Sequence, residues 1–232
     1  MAGRLIFGDR VGTPQNHFKS LSEPFWWLTN AAVFAGLTIA NQVVTIEPGD
    51  EEKVLAAQRS RIGTPILYVA WHRYNYVLSQ VLRSLPEAAR PTLIMHDGLA
   101  SRALTHESGV WSGFTIFVFA RKSTRSPREQ IADYIKQTGA SILLLPDAGG
   151  PYRIAKPGIV ELSRLTGAPV IPLGVRHRGA CILGQKLQQV LPIPGSCLAL
   201  RAGPLVPMEE VTLLRCQHEL AELESMLEAE SA

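Results

Sequence analysis

From Pro65 onward the chain alternates short, almost wholly apolar runs with segments of helical periodicity, and this alternation constrains the fold more than any other feature. PILYVAW reads as a buried strand, followed by the helical RYNYVLSQVLRSL, which Pro86 ends. PTLIM, FTIFVFA, ASILLLPD, APVIPLGV and SCLALRAG read as further strands, with helices at LASRALTH and KPGIVELSRLTG. Between FTIFVFA and ASILLLPD, Ser126-Pro127-Arg128-Glu129 carries three helix-start signals at once. Ser126 can cap free amides, Pro127 suits the first helical position, and Glu129 completes a capping box. Ile131, Tyr134 and Ile135 form the inner stripe of that helix and Gly139 ends it. Upstream, QVVTIE is a strand closed by Pro48-Gly49-Asp50, before the polar helix DEEKVLAAQRSR. Strand–helix alternation predicts an α/β fold: a mostly parallel or mixed central sheet flanked by helices.

This α/β unit spans residues 42–207. A C-terminal helix over 208–232 carries Leu213, Cys216, Leu220, Leu223 and Leu227 at spacings of three and four, which predicts packing on the same domain. Residues 1–41 form an N-terminal segment containing FWWLTNAAVFAGLTIA, from Phe25 to Ala40. At about 16 residues it falls short of the ~20 needed for a span. It either rests in the headgroup zone, where Trp26 and Trp27 would partition, or packs against the sheet.

Composition narrows the function. Charged residues are 19% of the chain, hydrophobic residues 46%, and the net charge is only +3, which excludes a disordered chain and gives no basic stripe for nucleic acid. Cys181, Cys197 and Cys216 lie far apart without a CxxC pair, so neither a disulfide framework nor a zinc site is expected, and a reducing compartment fits.

In parallel sheets ligands gather beyond the carboxyl ends of strands, and here those positions carry unusual chemistry. His72 ends an apolar strand. Imidazole is the side chain best suited to accept a proton near neutral pH as a hydroxyl or amine attacks an acyl carbonyl. Arg73 and Asn75 follow it as candidate substrate contacts. Asp97, after the next strand, is the candidate to orient the imidazole, and it also suits a helix cap. Arg121, Lys122 and Ser123 stand before the capped helix as a candidate anion site. Asp147, Gly149, Gly150, Arg153 and Lys156 complete the set. The glycine pair could turn backbone amides toward a ligand, or form an ordinary turn. Without GxGxxG or a Walker A sequence, a nucleotide-binding reading of that turn is disfavoured, and without GxSxG no nucleophilic serine is expected.

The block LLLPDAGGPYRIAKPGIVELSRLTGAPVIPLGV resembles one in the lysophospholipid acyltransferase superfamily, in its compact bacterial branch once catalogued as a domain of unknown function. There Pro-Asp-Gly-Pro-x-Gly-Pro precedes Lys-Pro-Gly-hydrophobic and Gly-Ala-Pro-hydrophobic-hydrophobic-Pro-hydrophobic. Trp71-His72, Asp97-Gly98 and Phe117 to Arg121 are similar to further elements, so the likeness runs from about Gln42 to Pro207. The resemblance implies a glycerolipid-acyltransferase-like fold and transfer of a fatty acyl group from acyl-CoA or acyl-carrier protein to a lysophospholipid or other lipid-like acceptor. It implies His72 as general base, Arg121 near an acceptor phosphate, and the loop from Asp147 to Arg153 shaping the acceptor pocket. No metal or cofactor beyond the thioester co-substrate is implied, and the expected location is cytoplasmic, peripheral on the inner face of the cell membrane. The chain departs from the pattern in three places. Position 77, where the superfamily carries an acid five residues after the histidine, is Val77; Ala148 replaces Gly and Gly149 replaces Pro. The orienting acid is then supplied from elsewhere, with Asp97 the candidate, or is absent. A protein that keeps the fold and binds acyl groups without turnover is the alternative reading.

Overall fold

The computed structural model describes residues 5–7, 43–61, 63–97, 113–147, 151–184 and 188–231. The apolar segment 25–40 and the expected helix at 99–106 lie outside the described residues. Among the described residues, no helix is long and apolar enough to cross a membrane.

Among the described residues ten strands are formed: β1 (Leu5–Phe7), β2 (Thr45–Ile46), β3 (Leu67–Val69), β4 (Thr92–His96), β5 (Ile116–Phe119), β6 (Ile142–Leu144), β7 (Val170–Arg178), β8 (Cys181–Leu183), β9 (Gln189–Leu191) and β10 (Cys197–Ala202). Eight make one sheet in the order β1-β5-β4-β6-β3-β7-β10-β2, and β8 with β9 forms a separate antiparallel hairpin. From β1 to β7 every pairing is parallel, while β10 runs antiparallel to β7 and β2 lies parallel to β10. The fold is thus α/β with a mixed, mostly parallel sheet. The apolar runs of the sequence are its middle strands, and Leu67, Tyr68, Val69, Ile116, Ile142 and Val170 are fully buried in the core.

The helices are α1 (Glu51–Arg59), α2 (Asn75–Val81), α3 (Pro127–Thr138), α4 (Gly158–Thr166) and α5 (Leu213–Ser231). The capping box before α3 is formed: Ser126 Oγ accepts from the Glu129 amide at 3.3 Å, and the Ser126 amide donates to Glu129 Oε2 at 2.7 Å. Gly139 closes α3 at φ +66, a left-handed turn that glycine adopts without strain. Ile131, Tyr134 and Ile135 are buried.

The helix α5 packs along β7. Its buried face holds Cys216, Leu220, Leu223 and Leu227, whereas Leu213 at the helix start is exposed. Gly174 permits the close approach, since a Cβ there would lie 2.5 Å from a methyl of Leu227.

The strand order positions the site. The link from β3 to β4 crosses the sheet in one direction, and the link from β6 to β7 crosses in the other. Right-handed crossovers would send their helices to opposite faces, which makes the carboxyl ends of β3 and β6 the switch point where sheets of this order hold ligands in a crevice. His72 and Asp147 stand there.

Candidate active site

Ala70 and Trp71, both buried, extend β3 before the chain tightens into a single 3-10 turn, His72–Tyr74, and continues into α2. His72 therefore sits on the carboxyl edge of the sheet, half-buried. Because β6 neighbours β3, Asp147 reaches across, and its Oδ1 accepts from the His72 backbone N–H at 2.8 Å. The ring is held from another element. Gln189, at the start of β9, places its Nε2 2.8 Å from His72 Nδ1. The ring's Nε2 has no hydrogen-bond partner among the described residues.

Burial pushes the His72 pKa below its ordinary 6.5, and the charge of Asp147 works against that shift. The ring is thus neutral near pH 7, with one nitrogen engaged and the other open. Burial also raises the carboxyl of Asp147 above its ordinary 3.8, opposed by the hydrogen bond from the His72 amide. Among the described residues five buried side-chain atoms make no hydrogen bond: Trp71 Nε1, Arg73 Nε, Asp147 Oδ2, Gln189 Oε1 and Glu224 Oε2. Two of these residues, Asp147 and Gln189, are the hydrogen-bond partners of His72, and two, Arg73 and Glu224, form the ion pair beneath its turn.

The sequence-derived candidates do not all converge on His72. Asp97 was expected to orient the imidazole, but its Oδ1 accepts from the Arg121 amide at 3.1 Å. It ends β4, which lies two strands from β3, roughly 10 Å away at ordinary strand spacing. The carboxylate beside His72 is Asp147, and the group on Nδ1 is Gln189. Val77, where the superfamily carries its acid, is completely buried.

Arg73 was expected to touch substrate. Instead it is 4% exposed and ion-paired to the buried Glu224 of α5 at 2.5 Å. Tyr152 completes this cluster: its hydroxyl accepts from Arg73 and donates to Glu224. Arg153, also a candidate substrate contact, bonds Glu224 at 3.1 Å and Glu228, so its charge is committed to α5. These residues dock the C-terminal helix against the turn that carries His72. Asn75 is exposed at the start of α2.

Arg121 and Lys122 are exposed at the end of β5, three strands or roughly 14 Å from β3. Their loop is fixed from below by the buried Gln130, which donates to the carbonyls of Ala120 and Arg125 and accepts from the Ala120 amide. Ser123 Oγ accepts from the Arg125 amide at 3.1 Å. Lys156 is exposed and its backbone amide donates to Pro146 at 3.1 Å, which ties the Asp147 loop to the start of α4. Gly149 and Gly150 lie outside the described residues.

A cavity of about 560 Å³ lies at the opposite, amino end of the strands, lined by Arg61, Arg90, Thr92, Thr115, Tyr134 and Ser141 among others. Several of its polar groups are engaged: Thr92 Oγ1 meets Tyr134 OH at 3.1 Å, and Ser141 Oγ accepts from the Ile66 amide. It contributes nothing to the His72 crevice. Among the described residues, no group of three or more His, Cys, Asp or Glu side chains is arranged to hold a metal ion.

Two residues that brace the His72 turn lie outside the sequence-derived candidates. Gln189 stands in QVL, a strand of three residues, too short for alternation to register. Glu224 left a usable signal: it lies four residues after Leu220 and three before Leu227, an acid on the apolar stripe, which calls for a buried cation. No protein-family model matches the chain, and the search of curated proteins gave no significant match.

Proposed function

We propose that the chain is an acyltransferase that moves a fatty acyl group from an acyl thioester, acyl-CoA or acyl-carrier protein, to a lysophospholipid or similar lipid acceptor. The reading is carried by one observation: a half-buried imidazole at the carboxyl edge of the sheet, held at Nδ1 and open at Nε2. His72 takes the acceptor's proton as its oxygen attacks the thioester carbonyl, and returns that proton to the departing thiolate. Asp147 holds the backbone of His72 and offers negative charge beside the transient imidazolium.

Two further features favour a lipid substrate. Leu183 is 51% exposed and stands directly across the hairpin from Gln189, so apolar surface adjoins the imidazole. A fatty acyl chain laid there would cover it. Arg121 and Lys122 offer cations farther along the rim, where an anionic group of an extended substrate would sit. Such a protein would work at the inner face of the cell membrane. The resemblance of the Asp147–Val175 block to the lysophospholipid acyltransferases agrees with this reading.

The test is conversion of lysophospholipid and acyl-CoA, or acyl-carrier protein, by the purified full chain, followed by mass spectrometry. A product one acyl chain heavier is expected, lost in His72→Ala with the fold retained by circular dichroism. Acyl thioester bound without turnover under all donors would instead establish the non-catalytic binding protein, and full activity in His72→Ala would remove the base.

A further inference from the structure

We propose that Gln189 is a positioning residue that selects the tautomer of His72, its amide turning to suit what arrives at the ring's open nitrogen. The inference rests on the reading of His72 as the base, and adds to it the device that makes the ring a base.

Gln189 Nε2 lies 2.8 Å from His72 Nδ1, and Gln189 Oε1 is buried without a hydrogen bond. The strand β9 that carries Gln189 packs against both the His72 turn and α2, so the amide is brought to the ring by the hairpin and not by its own flexibility. The backbone of His72 is fixed separately by Asp147. With both groups anchored, the remaining freedom is rotation of the amide about its terminal torsion. That rotation exchanges oxygen for nitrogen at the same point.

The two orientations have opposite consequences. With Gln189 Nε2 donating to Nδ1, the ring hydrogen resides on His72 Nε2, and that nitrogen can give a proton but not take one. With Oε1 accepting from Nδ1–H, the hydrogen resides on Nδ1 and the lone pair of Nε2 is open. Either orientation leaves one end of the amide unsatisfied, so neither is locked. A hydroxyl donating to His72 Nε2 therefore selects the second. Its proton then passes to Nε2 as the acyl–oxygen bond forms and the carbon–sulfur bond breaks. The resulting imidazolium donates from Nδ1 to Oε1, and Nε2 delivers its proton to the thiolate, so the ring ends neutral. The amide supplies direction without charge; Asp147 is the charged group acting on the ring.

Nitrogen NMR of the full chain with ¹⁵N-labelled histidine tests this, with His72 assigned from the signals missing in His72→Asn. Gln189→Met keeps length and removes both heteroatoms. Gln189→Glu keeps an acceptor only. In Gln189→Glu the ring should hold hydrogen on Nδ1, and its titration should move up by about one pH unit or more. In Gln189→Met the tautomer balance should shift from wild type, with kcat for acyl transfer falling roughly 100-fold, KM little changed, and Gln189→Glu restoring most of the loss. Unchanged ¹⁵N shifts and titration of His72 in both variants would overturn the proposal. If Gln189→Met does not fold, the titration in Gln189→Glu decides. Where the NMR responses appear but wild type transfers no acyl group, the positioning role stands and the acyltransferase reading falls.

Discussion

Substituting Glu224 by alanine removes the anion from a buried guanidinium, and the structure allows the cost to be worked out. Arg73 is 4% exposed and Glu224 2%. Breaking such a pair by deleting one partner costs about 3–5 kcal/mol, because the surviving charge is left desolvated. Tyr152 loses its acceptor as well, worth about 1 kcal/mol. Glu228 remains 3.7 Å from Arg73, but its side chain is 57% exposed, so solvent limits its compensation to less than about 1 kcal/mol. The last two terms nearly cancel, leaving a net loss of about 3–5 kcal/mol. For a chain of this length each kcal/mol moves the melting temperature by about 2–4 °C, so Glu224→Ala should melt roughly 6–20 °C below wild type. Thermal and urea unfolding followed by circular dichroism measure it. Glu224→Gln, which keeps an acceptor and the volume, should lose less, and Arg73→Met with Glu224→Leu together should recover part of the loss, since a buried pair is replaceable by apolar packing. A loss below about 1 kcal/mol in Glu224→Ala, or a double variant as unstable as the sum of its parts, would refute the claim that this pair docks α5.

Because burial holds the His72 pKa below 6.5, its neutral form persists into mildly acidic solution, and the acidic limb of the acyl-transfer profile should have its midpoint below pH 6.5; a midpoint above 6.5 would contradict the burial seen here. The same shift predicts stability. His72, His96 and His177 all titrate below 6.5 when folded, so as pH falls below 6.5 the unfolded chain binds more protons and stability is lost, while Asp147 works with the opposite sign. The urea midpoint should drop between pH 7 and the folded pKa values; a midpoint that rises on acidification would exclude it. Gly49→Ala would set a Cβ 2.2 Å from the Leu200 carbonyl oxygen, a backbone atom that cannot rotate away, and should cost about 1–3 kcal/mol in urea unfolding. An unchanged midpoint would mean the β2 edge yields freely.

The fold was legible because its signals are local and repeated. Leu67–Val69, Ile142–Leu144 and the first six residues of β7, Val170 to Val175, are apolar runs that only a sheet covered on both faces can bury, and Ser126, Pro127, Glu129 and Gly139 each act within one helical turn of their own position. Strand order is a different kind of information. Nothing in the spacing of PTLIM and ASILLLPD says that β6 inserts between β3 and β4, and that insertion exchanged the acid beside His72 from Asp97 to Asp147. Arg73 misled for a related reason. An arginine after a strand resembles a ligand contact until a helix that begins 140 residues later (Leu213) places a carboxylate over it.

Polar chemistry at the edge of this sheet therefore divides by distance from the β3–β6 crevice. Within it, Asp147 and Gln189, the two hydrogen-bond partners of His72, each keep one buried oxygen without a hydrogen bond. One step away, Arg73, Tyr152, Arg153, Glu224 and Glu228 pair their charges and fix α5, although Arg73 Nε and Glu224 Oε2 also make no hydrogen bond. Farther along the rim, Arg121 and Lys122 reach into solvent from a loop that Gln130 holds rigid. A purely structural histidine would be expected in the middle group, with both ring nitrogens engaged. His72 belongs to the first, with its second nitrogen open and its backbone and Nδ1 held by separate elements. An open ring nitrogen on a histidine anchored at two other points is why the crevice is read as the place where a proton moves.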